Sequence, residues 1–208
     1  GIVMAMWRSS GTIAFFLYHG LQGISPPLFV LMAFLLTTLL SFMLGTSFGV
    51  IGTGGVILIT LARSGGVDLA ITAGAIISGA YFGDRCSPMS TSALLVSTVT
   101  GTDLYRNIGN MVKTSVVPFA ITCVTYTLLG MGTGGDFDTT QIQVLFADNF
   151  VLHPAAIIPA AVIILLSCFR ANVKITMSVS ILCGMVIAFL IQKVSPVQLL
   201  EIAIWGYK

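Results

Sequence analysis

Long apolar segments recur along the whole chain, and they restrict its possible folds more than any other feature. Six can be drawn: residues 1–18, 27–62, 69–100, 107–130, 151–169 and 173–192. About 20 apolar residues make a helix of roughly 30 Å, which matches the hydrocarbon thickness of a bilayer. Only 8% of the 208 residues are charged, against roughly 25% in soluble domains. The pattern therefore predicts an all-α polytopic membrane protein.

Two of these segments contain residues that disrupt a straight helix. Segment 27–62 is longer than one crossing needs, and its middle, GTSFGVIGTGG (45–55), holds five glycines, each costing about 1 kcal/mol relative to alanine inside a helix. Segment 69–100 contains GAYFGDRCSPMS (79–90), with two charges and a proline. Broken backbone at membrane depth lies inside protein or beside water, and paired broken segments are typical of transporter binding sites. We therefore expect an unwound stretch over 45–55 and a second break within 79–90.

The charges in the links between segments predict a topology. The tendency of basic loops to stay in the cytoplasm places three links inside the cell and two outside: 63–68, 101–106 and 170–174 inside, 19–26 and 131–150 outside. Segment 69–100 must then enter and leave on the same side, as a re-entrant helical hairpin with its tip near Asp84 or as two short transmembrane helices. With the hairpin, we expect about five transmembrane helices, of which one is broken.

Net charge and cysteine spacing argue against other classes of function. A net charge of +2 is too small to suggest a nucleic-acid partner. The four cysteines are far apart and form no CxxC pair, so we expect no disulfide framework, no zinc site and no cofactor. The first residues carry neither an initiator methionine nor a basic leader, and we expect the chain to be part of a longer protein.

Asp84 is the residue on which the functional hypothesis depends. An acid in the middle of an apolar segment costs about 2.5–3.5 kcal/mol on membrane-insertion scales, and such residues commonly mark ion or proton pathways. A carboxylate in this setting can hold a proton or a small cation, and competition between the two is the simplest chemistry of a proton–cation antiporter. The alternative is a structural ion pair with Arg85.

The residues around Asp84 predict how the helix breaks. Serine is a good N-cap and proline suits the first helical turn, so Ser87-Pro88 predicts a half-helix over 88–100. Gly79 and Gly83 are predicted to end the half-helix before it. The carbonyl groups at the end of that half-helix would favour a cation.

Hydroxyl side chains at both breaks are candidate ligands for Na⁺, because hard cations prefer oxygen. The predicted site for cation and proton combines Asp84 with hydroxyls from the two breaks: Ser87, Ser90 and Thr91 from one, Thr46 and Ser47 from the other, with Thr53 a weaker candidate. Na⁺ itself is expected at Asp84, Ser87 and Thr46. The alternative for the hydroxyls is helix capping and close packing of helices.

Three further charged residues are possible partners in the site. Arg85 can pair with Asp84 or with Asp103. Arg8 can balance a buried acid, contact an anionic substrate, or lie near a membrane face and extend its head to water.

Four stretches resemble the NhaC family of Na⁺/H⁺ antiporters: MWRSSGTI (6–13), GTSFG (45–49), GAYFGDRCSPMS (79–90) and TGTDLYRNI (100–108). The resemblance covers most of residues 1–130. It implies an inverted-repeat fold with re-entrant hairpins and broken helices, in which 1–130 is a first-repeat transport region, 131–150 an extracytoplasmic link and 151–208 the opening helices of a second repeat.

The same resemblance implies that the site residues are Thr46, Ser47, Asp84, Ser87 and Ser90. Many relatives carry an acid directly after the second serine of the SP-x-S pattern, whereas this chain has Thr91 there. If that acid binds a cation or a proton in those relatives, this protein has one titratable group fewer. Its stoichiometry and its coupling ion would then differ from theirs.

The leading hypothesis is a secondary transporter of the plasma membrane, and not an enzyme, that exchanges Na⁺ for H⁺ at Asp84. The alternative is a Na⁺- or H⁺-coupled exchanger of a small organic acid or amino acid, with Arg8 or Arg85 facing the substrate. An intramembrane aspartyl protease would need a second acid facing Asp84, and Asp68 and Asp103 fall at segment ends. The expected partners are the lipid bilayer, the remaining half of the transporter and a second copy in a homodimer.

Overall fold

The structure is a computed structural model, and it describes residues 2–21, 26–132 and 151–206. Within these ranges the regular secondary structure is helical. The helices are α1 Ile2–Ser9, α2 Thr12–Leu21, α3 Phe29–Leu44, α4 Ser47–Val50, α5 Val56–Ser64, α6 Leu69–Cys86, α7 Thr91–Thr100, α8 Leu104–Met131, α9 Ile158–Cys168, α10 Val173–Leu190 and α11 Pro196–Trp205, with 3₁₀ turns at Pro26–Leu28 and Pro154–Ile157 and a π turn at Ile51–Gly55.

The chain divides into two compact units. One comprises Gly1–His19 with Thr140–Lys208, and the other comprises Gly20–Thr139. Most of the predicted extracytoplasmic link, 131–150, lies outside the described residues. The assignment of 1–130 to a first transport repeat and of 151–208 to a second remains a prediction.

Three helical stretches are long and apolar enough to cross a membrane within the described ranges: Ser47–Ser64, Leu104–Met131 and Val173–Leu190. Shorter apolar helices accompany them, including Phe29–Leu44 and the stretch Pro154–Cys168. The predicted all-α polytopic class is therefore confirmed. The number of crossings and the re-entrant path of 69–100 remain predictions.

In the first unit, α1 and α2 are separated by a break that the sequence analysis did not anticipate. Within the apolar segment 1–18, Gly11 takes a left-handed backbone conformation with φ 75°. A side chain would be strained there, whereas glycine adopts this conformation freely. Helix α1 packs on α10 and α11, where Met6, Ala188 and Leu199 form a buried apolar cluster.

In the second unit, α3 and α6 cross so closely that their backbones touch. A Cβ atom added to Gly79 would collide with the carbonyl oxygen of Phe34, and one added to Gly83 would collide with that of Thr38. The prediction that these two glycines end a half-helix is wrong, because α6 continues through both to Cys86. Their role is to permit close helix packing, as small residues do in membrane proteins.

The predicted unwound stretch over 45–55 is wrong in its extent. Helix α3 ends at Leu44, and only Gly45, with φ 63°, and the extended Thr46 interrupt the helix. From Ser47 the backbone stays helical, because residues 51–55 form a π turn that leads directly into α5. The π turn keeps the backbone groups of this glycine-rich stretch hydrogen-bonded, which an unwound chain would not.

The break within 79–90 lies later than predicted. Helix α6 ends at Cys86 and α7 begins at Thr91, so the prediction of a half-helix over 88–100 is wrong at its start. The N-cap is Ser90, whose hydroxyl oxygen accepts a hydrogen bond from the amide of Ala93 at 3.3 Å. Ser87 is instead the C-cap of α6. Its hydroxyl oxygen accepts a hydrogen bond from the amide of Met89 at 3.1 Å, which holds the α6–α7 link in a tight turn.

Candidate functional site

The two helix breaks of the second unit lie against each other. A Cβ atom at Gly45 would overlap the backbone carbonyl group of Met89, so the α3–α4 break touches the α6–α7 link main chain to main chain. Glycine is required at this position twice over, by the contact and by its left-handed backbone conformation. The contact places the start of α4 beside the end of α6.

Asp84 lies where the breaks meet. Its Oδ2 atom accepts a hydrogen bond from the hydroxyl of Ser47 at 3.2 Å. Its Oδ1 atom is buried and has no hydrogen-bond partner within the structure. Buried polar atoms in folded proteins almost always have a partner, and an unpaired carboxylate oxygen is costly. Asp84 is thus held at one oxygen, while the other is buried without a protein partner.

A cavity of about 200 Å³ adjoins this carboxylate. Its polar lining comes from the end of α6 and the start of α7: Tyr81, Asp84, Arg85, Ser90 and Ser92. Its apolar wall comes from Ala93 and Val96 of α7 and from Met111 of α8. The cavity therefore combines one acid, one base and several hydroxyls with an apolar wall.

The predicted hydroxyl ligands are distributed unevenly around Asp84. Ser47 contacts the carboxylate and Ser90 lines the cavity. Ser87 and Thr46 lie in the two links, where each hydroxyl oxygen accepts from a backbone amide, that of Met89 and that of Gly49. Thr91 is exposed at the start of α7 and is not part of the cavity lining. The structure thus brings two of the five hydroxyls into direct relation with Asp84 and its cavity.

The predicted charge partners are also distributed unevenly, since one of the three lines the cavity and two do not. Arg85 lines the cavity. Asp103 is the N-cap of α8, where its Oδ1 atom accepts from the amide of Arg106 at 2.8 Å. Arg8 lies in α1 and belongs to the other unit.

Sequence reasoning missed five residues of the cavity lining, namely Tyr81, Ser92, Ala93, Val96 and Met111. Tyr81 lies three residues before Asp84 on the same helix, and residues at this spacing share a face. The periodicity of α6 therefore contained a signal for it. The ring of Tyr81 meets that of Phe48, the residue after Ser47, edge to face, with centroids 6.1 Å apart. Met111 comes from α8, and nothing local in the sequence points to it.

Comparison with known proteins shows a family relationship along the whole chain. A sequence model of the Na⁺/H⁺ antiporter family matches residues 7–103 and 79–207. The similarity thus continues beyond residue 130, which is further than the resemblance seen in the sequence motifs. No solved structure matches the chain.

Several curated relatives are antiporters. The chain is 29% identical to the malate-2H⁺/Na⁺-lactate antiporter of Bacillus subtilis, with 100% of the chain and 45% of the relative covered. It is 32% identical to an uncharacterized Na⁺/H⁺ antiporter of Haemophilus influenzae, again with 100% and 45% covered. It is 31% identical to the Na⁺/H⁺ antiporter NhaC of Alkalihalophilus pseudofirmus, with 92% and 42% covered. The chain spans less than half the length of these relatives.

Proposed function

Because the chain belongs to the Na⁺/H⁺ antiporter family, we propose that the whole protein exchanges Na⁺ for H⁺, with Asp84 binding the two ions in turn. Membership of this family makes it a multi-pass transporter of the plasma membrane, and not an enzyme. The exchange needs no cofactor, since the transported ions carry all the charge that moves. The proposed partners are the bilayer, the rest of the transporter and a second copy of the protein.

The unpaired Oδ1 atom of Asp84 is the observation that carries the proposal. A buried carboxylate oxygen without a partner is poorly stabilised when it is ionised, and either a proton or a cation relieves that cost. Only one of the two can occupy the oxygen at a time. Alternate occupancy of a single group couples outward movement of one ion to inward movement of the other when the site changes the side it faces only with an ion bound.

We assign Na⁺ to Asp84 together with the hydroxyl oxygens of Ser47 and Ser90. Ser47 already contacts the carboxylate, and Ser90 lines the adjoining cavity. Oxygen ligands of this kind suit a hard cation. Thr46 and Ser87 would act mainly by shaping the links, and Thr91 would enter only after a rearrangement of the start of α7.

The meeting of two helix breaks supports a movable site. Ser47 and Asp84 belong to different helices and are joined by one side-chain hydrogen bond across the breaks. A bound cation would bridge the same two groups, and protonation of Asp84 would remove the charge that holds the cation. The loop charges support a cytoplasmic location for the links 63–68, 101–106 and 170–174.

Replacement of Asp84 tests the proposal. In the full-length protein, Asp84→Asn removes the charge and keeps the shape, and attraction between opposite charges at a partly buried site is worth about 4 kcal/mol. We expect Na⁺-dependent proton flux in proteoliposomes to fall by about two orders of magnitude or more. Asp68→Asn is the matched control. Asp68 caps the other end of α6 by accepting from the amide of Ile71, and asparagine caps equally well. Normal flux from Asp84→Asn would refute the assignment.

A further inference from the structure

Helix α4, Ser47–Val50, carries the hydroxyl that contacts Asp84, but it consists of a single turn. A single turn gains little from its own hydrogen bonds, because the first turn of a helix fixes several residues for one bond. The amide of Ile51 donates to the carbonyl groups of Ser47 and Phe48 at the end of this turn. Further restraints on α4 must come from the residues around it.

Two threonines flank α4 and bond to the same residue within it, Gly49. The Oγ1 atom of Thr46 accepts a hydrogen bond from the amide of Gly49 at 3.3 Å. The hydroxyl of Thr53 donates to the carbonyl oxygen of Gly49 at 2.8 Å and, more weakly, to that of Val50 at 3.4 Å. Both threonines were candidate ligands for Na⁺, and in the structure both bond to the backbone of α4.

The bond made by Thr53 crosses a junction between two kinds of helix. Thr53 lies in the π turn Ile51–Gly55, whereas Gly49 and Val50 are the last residues of α4. Backbone hydrogen bonds reach back four residues in an α-helix and five in a π turn. Because this spacing changes at the junction, the side-chain bond joins two turns that the backbone does not connect in one regular pattern.

We propose that Thr53 is a positioning residue of the ion site, whose hydroxyl holds α4 in the orientation that brings Ser47 to Asp84. The inference rests on the proposed function, because Ser47 and Asp84 are taken as ligands of Na⁺. Their contact of 3.2 Å is longer than the usual range of about 2.5–3.0 Å for a hydroxyl donor. A small displacement of α4 therefore breaks it. Thr53 does not bind the ion and acts through the carbonyl group of Gly49.

Removal of the Thr53 hydroxyl from the full-length protein tests the proposal. Thr53→Val keeps the shape of the side chain and removes its hydrogen bond. We expect the KM for Na⁺, measured by proton flux in proteoliposomes, to rise by about three- to fivefold, as for the weakening of one hydrogen bond, with a smaller change in the maximal rate. Thr53→Ser retains the hydroxyl and should restore most of the affinity. An unchanged KM in Thr53→Val would overturn the proposal.

Thr60→Val is the matched control. The hydroxyl of Thr60 donates to the carbonyl oxygen of Val56, also at 2.8 Å, but both residues lie within the regular helix α5. Its loss removes the same kind of bond without affecting the junction, so the KM for Na⁺ should not change. An equal rise of the KM in Thr60→Val would show that any such bond matters, and would overturn the specific role of Thr53.

A double variant shows whether Thr53 acts through Ser47. If it does, Thr53→Val added to Ser47→Ala raises the KM no further, because the contact that Thr53 maintains is already lost. A rise equal to the product of the two single effects would overturn the proposal.

The failure of this proposal can be distinguished from that of the function on which it rests. Normal flux from Asp84→Asn would refute both. If Asp84→Asn is inactive and Ser47→Ala raises the KM, but Thr53→Val does not, the ion site stands and the positioning role of Thr53 is rejected.

Discussion

Two buried polar clusters, one in each unit of the protein, use their hydrogen-bonding groups in opposite ways. In the first unit, the indole of Trp7 donates to the hydroxyl of Ser180 at 3.0 Å, and that hydroxyl donates to the carbonyl of Pro159 at 3.0 Å. Each of these three groups therefore has a hydrogen-bond partner. In the second unit, Asp84 has one oxygen hydrogen-bonded and one buried without a protein partner. In the Trp7–Ser180 cluster the groups that join helices are satisfied by protein, whereas Asp84, which we assign to an ion, has one buried oxygen without a protein partner.

The helix breaks of the two units also differ in how their polar groups are hydrogen-bonded. At the α1–α2 break, the hydroxyls of Ser10 and Thr12 bond to each other at 2.8 Å, and the carbonyl of Ser10 accepts from the amide side chain of Gln192. At the paired breaks of the second unit, the hydroxyl of Ser47 is directed at a titratable group. A break in a membrane helix is thus not in itself a sign of a binding site. Its unsatisfied groups are the better indicator.

The largest expected effect comes from adding a methyl group where the two helix breaks of the second unit touch. Gly45→Ala introduces left-handed strain of about 1–2 kcal/mol and overpacking of about 1–3 kcal/mol against Met89, so we expect loss of exchange and a lower melting temperature in detergent. Gly101→Ala is the control, because Gly101 has nearly the same φ, 64°, with nothing near its Cβ position. It should show only the strain. Equal melting temperatures for the two variants would contradict the contact with Met89.

An intermediate effect is expected in the first unit. Ser180→Ala leaves the buried indole N–H of Trp7 unpaired, which costs about 1–3 kcal/mol, so thermal unfolding of the purified protein should occur at lower temperature. The KM for Na⁺ should not change, because this cluster holds no open group. Ser178→Ala, at an exposed serine of the same helix, should leave both quantities unchanged. A raised KM in Ser180→Ala would break the comparison between the clusters.

The smallest effect is expected at Ser47. Ser47→Ala removes one hydroxyl from the proposed cation site, and we expect the KM for Na⁺ to rise by about three- to tenfold with little change in maximal rate or melting temperature. Ser47→Thr retains the hydroxyl and should restore most of the affinity. An unchanged KM in the alanine variant, measured by proton flux against Na⁺ concentration, would remove Ser47 from the site.

The parts of the site that could be predicted are those with a local energetic signature. Asp84 stands out because an acid in an apolar segment is costly wherever it lies. Gly45 and Ser87-Pro88 mark the two breaks through backbone preferences that are also local. The sequence therefore located both breaks, although it extended the first to residue 55 and began the following half-helix too early.

The parts that could not be predicted depend on contacts between distant residues. Gly79 and Gly83 look like helix breakers until α3 is known to pack against them, because the same missing Cβ atom that weakens a helix also admits a neighbouring backbone. The pairing of Ser47 with Asp84 and the place of Met111 in the cavity wall likewise arise from tertiary packing. No periodicity within one segment encodes them.

The π turn at Ile51–Gly55 sets the rotational phase between the two ends of its helix. A π turn holds one residue more than the α-helical turn that it replaces, so everything before it is rotated by about 100° relative to everything after it. After the turn, Leu58 and Leu61 are buried in the unit, while before it Ser47 faces Asp84. Deletion of one residue from the π turn would therefore rotate α4 by about 100° relative to α5 and turn the Ser47 hydroxyl away from Asp84, although no residue of the proposed ion site would have been changed.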